Sequence, residues 1–218
     1  LNNKLQDVFN QIAPGWYRMR HWSIFRRELE TLAQRWQKGK LLNAGCGHGA
    51  DFLPFKDGFD LYGVDFSIEM LRLAHQYARK FNLTVNLSLA DVAQLPYRDG
   101  VFDWVISVAT YHHLRGKQRQ LGALNELRRV LTPGGEAFIT VWNHWQPRFW
   151  FRRREVAVPW HVDGKVVHRY YYLFSYRELE TLVKEAGLEL LRSFPESSYR
   201  LPLKHFSRNI CLLVRKSG

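Results

Sequence analysis

The chain has 218 residues, 46% of them hydrophobic, enough for one α/β domain with insertions or at most two small ones. Its two cysteines, Cys46 and Cys211, exclude a disulfide framework and read as buried thiols in a reducing compartment. No apolar run approaches the roughly 18 residues of a membrane span, and no signal peptide is seen, so a cytoplasmic protein is expected; the net charge of +12 suits an anionic polymer such as nucleic acid.

Residues 2–13 and 20–37 read as helices broken by Ala-Pro-Gly at 13–15, with Trp22, Phe25, Leu29, Leu32 and Trp36 at helical spacing in the second. A buried strand over 40–44 runs into Gly45, Gly47 and Gly49, and helix-like residues continue to Pro54. A second strand begins at 59 and ends at Asp65, with Ser67 capping a helix over 68–80. Strands follow at 83–91 and 101–110, then a helix over 118–131, a Pro-Gly-Gly turn and a fifth strand to 143. Residues 144–172 are aromatic and basic without a clear period. Ser175 and Glu178 predict a capping box for a helix stopped by Gly187, before two last strands near 188–194 and 208–215. Alternating strands and helices imply right-handed crossovers and a mostly parallel sheet. One domain over 1–218 is expected, with amino-terminal helices in 1–39 and an insertion or lid over 144–174.

A strand, a glycine turn and a helix bring backbone N–H groups close to a cofactor, since glycine has no Cβ to hold it away. The run from Gly45 to Ala50 also fits a dinucleotide fingerprint, and an acid ending the next strand, Asp65, would grip ribose hydroxyls in either case. Loop and acid together indicate a nucleoside-type cofactor and leave open which one. Asp91, just beyond the third strand, discriminates. The ordered set of glycine loop, Asp65 and Asp91, continued by "LRRVLTPGGEAFIT", resembles the class I S-adenosylmethionine-dependent methyltransferases over residues 40–142. The resemblance implies a Rossmann-like α/β fold: a mostly parallel seven-stranded sheet, an antiparallel final strand and helices on both faces. It implies S-adenosylmethionine as cofactor, with Gly45, Cys46 and Gly47 near its methionyl part, Asp65 and Phe66 at the ribose, Asp91 and Val92 near adenine, and Val108 alongside. Asn43 stands where the family usually has an acid for the ammonium end, and keeps an acceptor without a charge.

Segments outside that core narrow the resemblance. "IAP" at 12–14, Arg20, the His112–His113 pair, "VPW" at 158–160, "HRYY" at 168–171, Phe174 and "SRNICLLVRK" are similar to tRNA methyltransferases that esterify carboxymethyluridine at the wobble position. Departures are Tyr172 where a His is usual, Asn209-Ile210 for Asn-Trp, and a short segment between Trp160 and His168. The implied catalytic residues are Arg20, His112, His113 and Arg169, and the implied substrate contacts are Trp160, His168, Tyr170, Tyr171 and Asn209.

The chemistry is consistent with those residue types. A carboxylate with a pKa of about 4 is already ionised and needs no general base. The site must instead pair an anion, which a guanidinium does through two donors. Aromatic rings offer a face to a flipped base. The His pair would matter as a base for a hydroxyl or amine acceptor. The rival readings are an NAD-dependent oxidoreductase, a small-molecule methyltransferase and a non-catalytic RNA-binding methyltransferase fold. His75, His144 and His205 show no ligand spacing with a cysteine, so no metal is expected. The expected partners are the tRNA anticodon arm and, by resemblance, a small zinc-binding activator. The third strand, 83–89, has neither Pro nor Lys to blunt an exposed edge, and is where that activator would pair.

Overall fold

The computed structural model describes residues 3–162 and 164–218; residue 2, placed in the first helix above, lies outside them. Helix α1 is Asn3–Met19 and runs straight through Pro14 and Gly15. The break expected at 13–15 falls instead at 20–25. Ile12 and Ala13 are fully buried and cluster with Phe9 and Met70, so packing holds the helix despite the hydrogen bond that proline removes. Helix α2, Arg26–Trp36, starts six residues later than its periodicity suggests, and Trp22 lies outside it and exposed.

The strands are β1 (Gly39–Ala44), β2 (Phe59–Asp65), β3 (Val85–Leu89), β4 (Phe102–Val108), β5 (Leu131–Trp142), β6 (Glu155–Val162), β7 (Lys165–Tyr172), β8 (Leu188–Pro195) and β9 (Asn209–Lys216). Seven form one sheet in the order β3-β2-β1-β4-β5-β9-β8. Only β9 runs against its neighbours, pairing antiparallel with both β5 and β8. Adjacent residues of the central strands face opposite sides, and both sides are buried. Leu42, Val105, Ala137 and Leu212 join one core with α4 (Lys117–Val130) and α5 (Tyr176–Glu185). Leu41, Ile106, Phe138 and Leu213 join the other with α2. This two-sided burial is why these strands read as near-continuous apolar runs. Buried Glu136 ties α2 to the sheet, accepting from Arg35 Nε and Nη2 at 2.9 and 2.6 Å and from Trp36 Nε1 at 2.9 Å.

Helix α3, Ile68–Phe81, is capped by Ser67, whose hydroxyl accepts from the Met70 N–H at 3.2 Å. The Ser175–Glu178 capping box is formed at α5. The later part of the aperiodic run 144–172 is a regular antiparallel hairpin, β6–β7, in register from Glu155↔Tyr172 to Val162↔Lys165. It packs on α1 and on the end of β5, where Tyr171 meets Trp142, so one face is buried by distant elements and the alternation is blurred by aromatics on both faces. Among the described residues, no helix is long and apolar enough to cross a membrane.

Candidate functional site

Strand order reverses between β1 and β4, which opens a crevice at the carboxyl ends of the parallel strands. A cavity of about 750 Å³ occupies it, bounded by the glycine loop, the end of β2, α1 and the hairpin. Gly45 has φ +84°, and an added Cβ would collide with the Thr110 side chain. Gly47 has φ +52° and nothing within 4 Å of where its Cβ would stand. The first glycine is required by packing, and the second leaves backbone open to a ligand. At the end of β2, the two Asp65 oxygens accept from the N–H groups of Gly47 at 2.8 Å and Ser67 at 2.9 Å. Burial pushes this carboxyl up to about 6, against the pull of those N–H groups. Asp91 accepts from the Ala93 N–H at 2.9 Å and is ion-paired with Arg119 of α4. Ala109, after β4, has φ +56°, a strained value for a residue with a Cβ, and lines the cavity.

The far end of the cavity is aromatic and basic. Register places Val158 opposite Arg169 and Trp160 opposite Val167, so these side chains share the hairpin face turned toward α1. The Arg169 guanidinium is buried 4.7 Å from the Trp160 ring centre and 5.6 Å from that of Trp16, and donates from Nη1 to the Tyr171 hydroxyl at 2.8 Å. Its Nε has no hydrogen-bond partner among the described residues. Among the described residues no carboxylate lies within 4.0 Å of Arg169, Arg20 or Arg148, all three of which line the cavity. Tyr171 stacks on Trp142 with centroids 4.1 Å apart and on His112 at 4.8 Å.

The two histidines have opposite tautomers, as their partners require. His113 Nδ1 meets the Tyr170 carbonyl at 2.8 Å and must donate, which leaves Nε2 with a lone pair. His112 Nδ1 accepts from the Trp142 N–H at 3.1 Å, so its proton is on Nε2. Burial holds His113 down to about 4 and His112 well below the usual imidazole range, with Arg169 pushing the same way. Both are neutral at pH 7.

Of the residues singled out in the sequence, Gly45, Cys46, Gly47, Asp65, Phe66, Asp91, Val92 and Val108 line the cavity, as do Arg20, His112, His113, Trp160, Arg169 and Tyr171. Four do not. Asn43 is fully buried inside β1 with both amide atoms unpartnered. His168 and Tyr170 are on the opposite face of the hairpin from Arg169, and Tyr170 stacks under Arg115 at 4.5 Å. Asn209 is occupied at the start of β9, its N–H donating to Glu196 at 2.8 Å. Sequence reasoning missed Trp16, Arg119, Trp142 and Arg148. Trp16 stands two residues after the "IAP" stretch, and Arg119 and Arg148 sit in runs legible only as basic surface. Among the described residues no three His, Cys, Asp or Glu side chains converge as metal ligands do.

A family model described as a methyltransferase domain matches residues 42–139. A protein of Encephalitozoon cuniculi described as a methyltransferase is 32% identical over 182 residues, 80% of each chain. The chain belongs to the class I S-adenosylmethionine-dependent methyltransferases. A tRNA (carboxymethyluridine(34)-5-O)-methyltransferase of Arabidopsis thaliana is 33% identical over 137 residues, 62% of this chain and 31% of that one. This methyltransferase therefore spans about a third of that plant relative's length. Among solved structures, a S-adenosylmethionine-dependent methyltransferase from Clostridium acetobutylicum superposes with a TM-score of 0.75 at 14% identity, covering 99% of both chains. A chain of the complex between the Haloferax volcanii Trm112 methyltransferase activator and a methyltransferase gives 0.65 at 17% identity, covering 96% of this chain and 98% of that one.

S-Adenosylmethionine is the cofactor of this methyltransferase, and the cavity residues fit it. The open backbone at Gly47 admits a close ligand, and the Asp65 carboxylate keeps lone pairs for a ribose diol beyond the two it gives to backbone. Phe66, Asp91 and Val92 continue the same wall, and the volume leaves room for an acceptor beside the cofactor.

Proposed function

We propose that this methyltransferase esterifies the carboxylate of a carboxymethyl group on the wobble uridine of tRNA. One observation carries the reading: a buried guanidinium, Arg169, faces the cavity with no carboxylate within 4.0 Å among the described residues, flanked by Trp16, Trp160 and Tyr171. A buried unpaired charge is costly, so such a site is built for an incoming anion. The relative from Arabidopsis, whose name specifies this reaction, supports the same chemistry. The paired histidines point the same way. A hydroxyl or amine acceptor calls for a base with a pKa near the working pH, and neutral His113, held at about 4, is a poor one. A carboxylate needs none.

Bound S-adenosylmethionine supplies the electrophilic methyl group. The chain's own work is orientation. Arg169, fixed by the Tyr171 hydroxyl, grips the acceptor carboxylate, with Arg20 at the same end of the cavity. Trp160 stacks the uracil ring, Tyr171, itself stacked on Trp142 and His112, serves only to hold Arg169, and Asp65 and Gly47 hold the cofactor. His168, Tyr170 and Asn209 have no direct contact in this scheme. We also assign a small activator protein to β3, an edge strand on which Leu89 is 54% exposed. The Haloferax complex supports an activator as a partner, and the exposed edge supports its place.

Mass spectrometry of nucleosides from tRNA incubated with the protein and cofactor tests the function. A new base-labile methyl ester on the wobble uridine is expected. Methylation of a small molecule that survives RNase treatment of an extract would sink the proposal.

A further inference from the structure

We propose that residues 144–154 and 200–208 form a docking platform for single-stranded nucleotides flanking the methylated one, a role that rests on RNA being the acceptor. The two segments are stitched together from beneath. The buried Asn143 amide donates to the carbonyls of His205 and Ser207 at 2.7 and 2.8 Å. The buried Gln146 amide donates to the carbonyls of Asn143 and Arg208 at 2.9 and 3.2 Å. The base is thus fixed, while Trp145, Trp150, Phe151 and Phe206 expose their rings above it, Phe151 to 99%. Trp150 and Phe206 come from different segments and stand edge to face, 6.1 Å between centroids. The Trp150 indole donates to the Trp145 carbonyl at 2.6 Å, which holds its ring in place.

Charge identifies what covers these rings. The two segments contain seven Lys and Arg and no Asp or Glu. Arg154 and Lys204 meet Glu178 and Glu180 at 3.1 and 3.9 Å, but among the described residues Arg148, Arg152, Arg153, Arg200 and Arg208 have no carboxylate partner. A protein partner would have to bring matching carboxylates to each of these guanidinium groups, whereas a nucleic-acid backbone carries an anion at every nucleotide. Exposed rings interleaved with unpaired guanidinium groups suit a backbone of phosphates carrying unstacked bases. The platform is also continuous with the cavity. Arg148 lines the cavity and lies 5.3 Å from the Phe149 ring centre, and Phe149 packs on the cavity residue Trp142 at 5.8 Å. A strand with one base in the cavity passes onto the platform at Arg148.

Fluorescence anisotropy of the full chain with a labelled RNA stem-loop, and in parallel with a fully paired RNA duplex, tests this. Trp150→Ala combined with Phe206→Ala should weaken stem-loop binding by about ten-fold or more and duplex binding by less than about two-fold. Arg152→Ala with Arg153→Ala should flatten the slope of log affinity against log salt by about 0.7 per side chain removed. Affinity for S-adenosylhomocysteine should be unchanged in both, which reports an intact fold. Unaltered stem-loop affinity in the aromatic variant overturns the platform, even where the wild-type chain methylates tRNA. Equal weakening toward stem-loop and duplex overturns the stacking role. Loss of a co-purifying protein from the aromatic variant with RNA affinity retained assigns the surface to protein and overturns it as well. A wild-type chain that modifies no RNA is a different failure and removes the proposed function itself.

Discussion

Replacing Arg169 should separate stability from function. Its burial costs solvation that Tyr171 and the surrounding rings only partly return. Arg169→Leu is therefore expected to leave the melting temperature unchanged or raise it. A charge-assisted bidentate contact of roughly 2–4 kcal/mol would be lost, so kcat/KM for tRNA should fall by about 30- to 1000-fold. Calorimetry with S-adenosylhomocysteine should show affinity within about two-fold of wild type; an equal loss of both would contradict the substrate role. Asp65 gives a pH prediction. Its folded value of about 6 is above the ordinary 3.8 because burial favours the neutral acid. The native chain then binds more protons than the unfolded one between about pH 4 and 6, so this residue's contribution to stability declines as pH rises through that window. Cofactor affinity should move the opposite way, since the ionised form is the better acceptor for ribose hydroxyls. Titrating S-adenosylhomocysteine from pH 7 to 5 should show affinity falling near pH 6, and Asp65→Asn should flatten the profile.

At the scale of elements, α1 is the one on which the site depends most. It brings Trp16 to the cavity, and beyond its last turn the chain brings Arg20. It is held by Ile12 in the core, by Asn10 accepting from the Ser67 hydroxyl at 2.7 Å and by Gln6 donating to the Phe66 carbonyl at 2.5 Å. Ile12→Ala should cost about 2–5 kcal/mol. Hydrogen exchange should quicken first in α1, and cofactor affinity should fall with it because Ser67 and Phe66 flank the cofactor wall. Ser175→Ala provides the contrast. It removes the α5 capping box, so the urea midpoint should drop by an equivalent of about 1 kcal/mol with cofactor affinity untouched. A loss of affinity in that variant would show that the two faces of the sheet are coupled.

For the molecule as a whole, the open edge at β3 bears on solution behaviour. Val85 and Leu87 are half-buried there, while Leu89 projects beside unpaired backbone. If a small activator adds a strand at this edge, the isolated chain should scatter light as an associating species and be weakly active. Leu89→Lys should abolish capture of a small protein from a lysate and keep the purified chain monodisperse. A fully active monomer that retains no partner would rule the pairing out as obligatory.

The sequence by itself determined the alternating sheet, the glycine loop and the acids at the ends of β2 and β3. Each depends on neighbours a few residues away: two-sided apolar runs, glycine's freedom at positive φ, and capping side chains such as Ser67 and Ser175. The tertiary structure alone decided the rest. Pro14 signals a helix end locally, yet α1 continues because Ile12 and Ala13 are buried against Met70. The "HRYY" run names four candidates, but hairpin register turns Arg169 and Tyr171 inward and His168 and Tyr170 away. Asp91 reads as a free acid until Arg119, 28 residues on, pairs with it. Nothing in the sequence shows that Arg169 is buried with no carboxylate beside it among the described residues, because that depends on what separate segments bring, and do not bring, to one place.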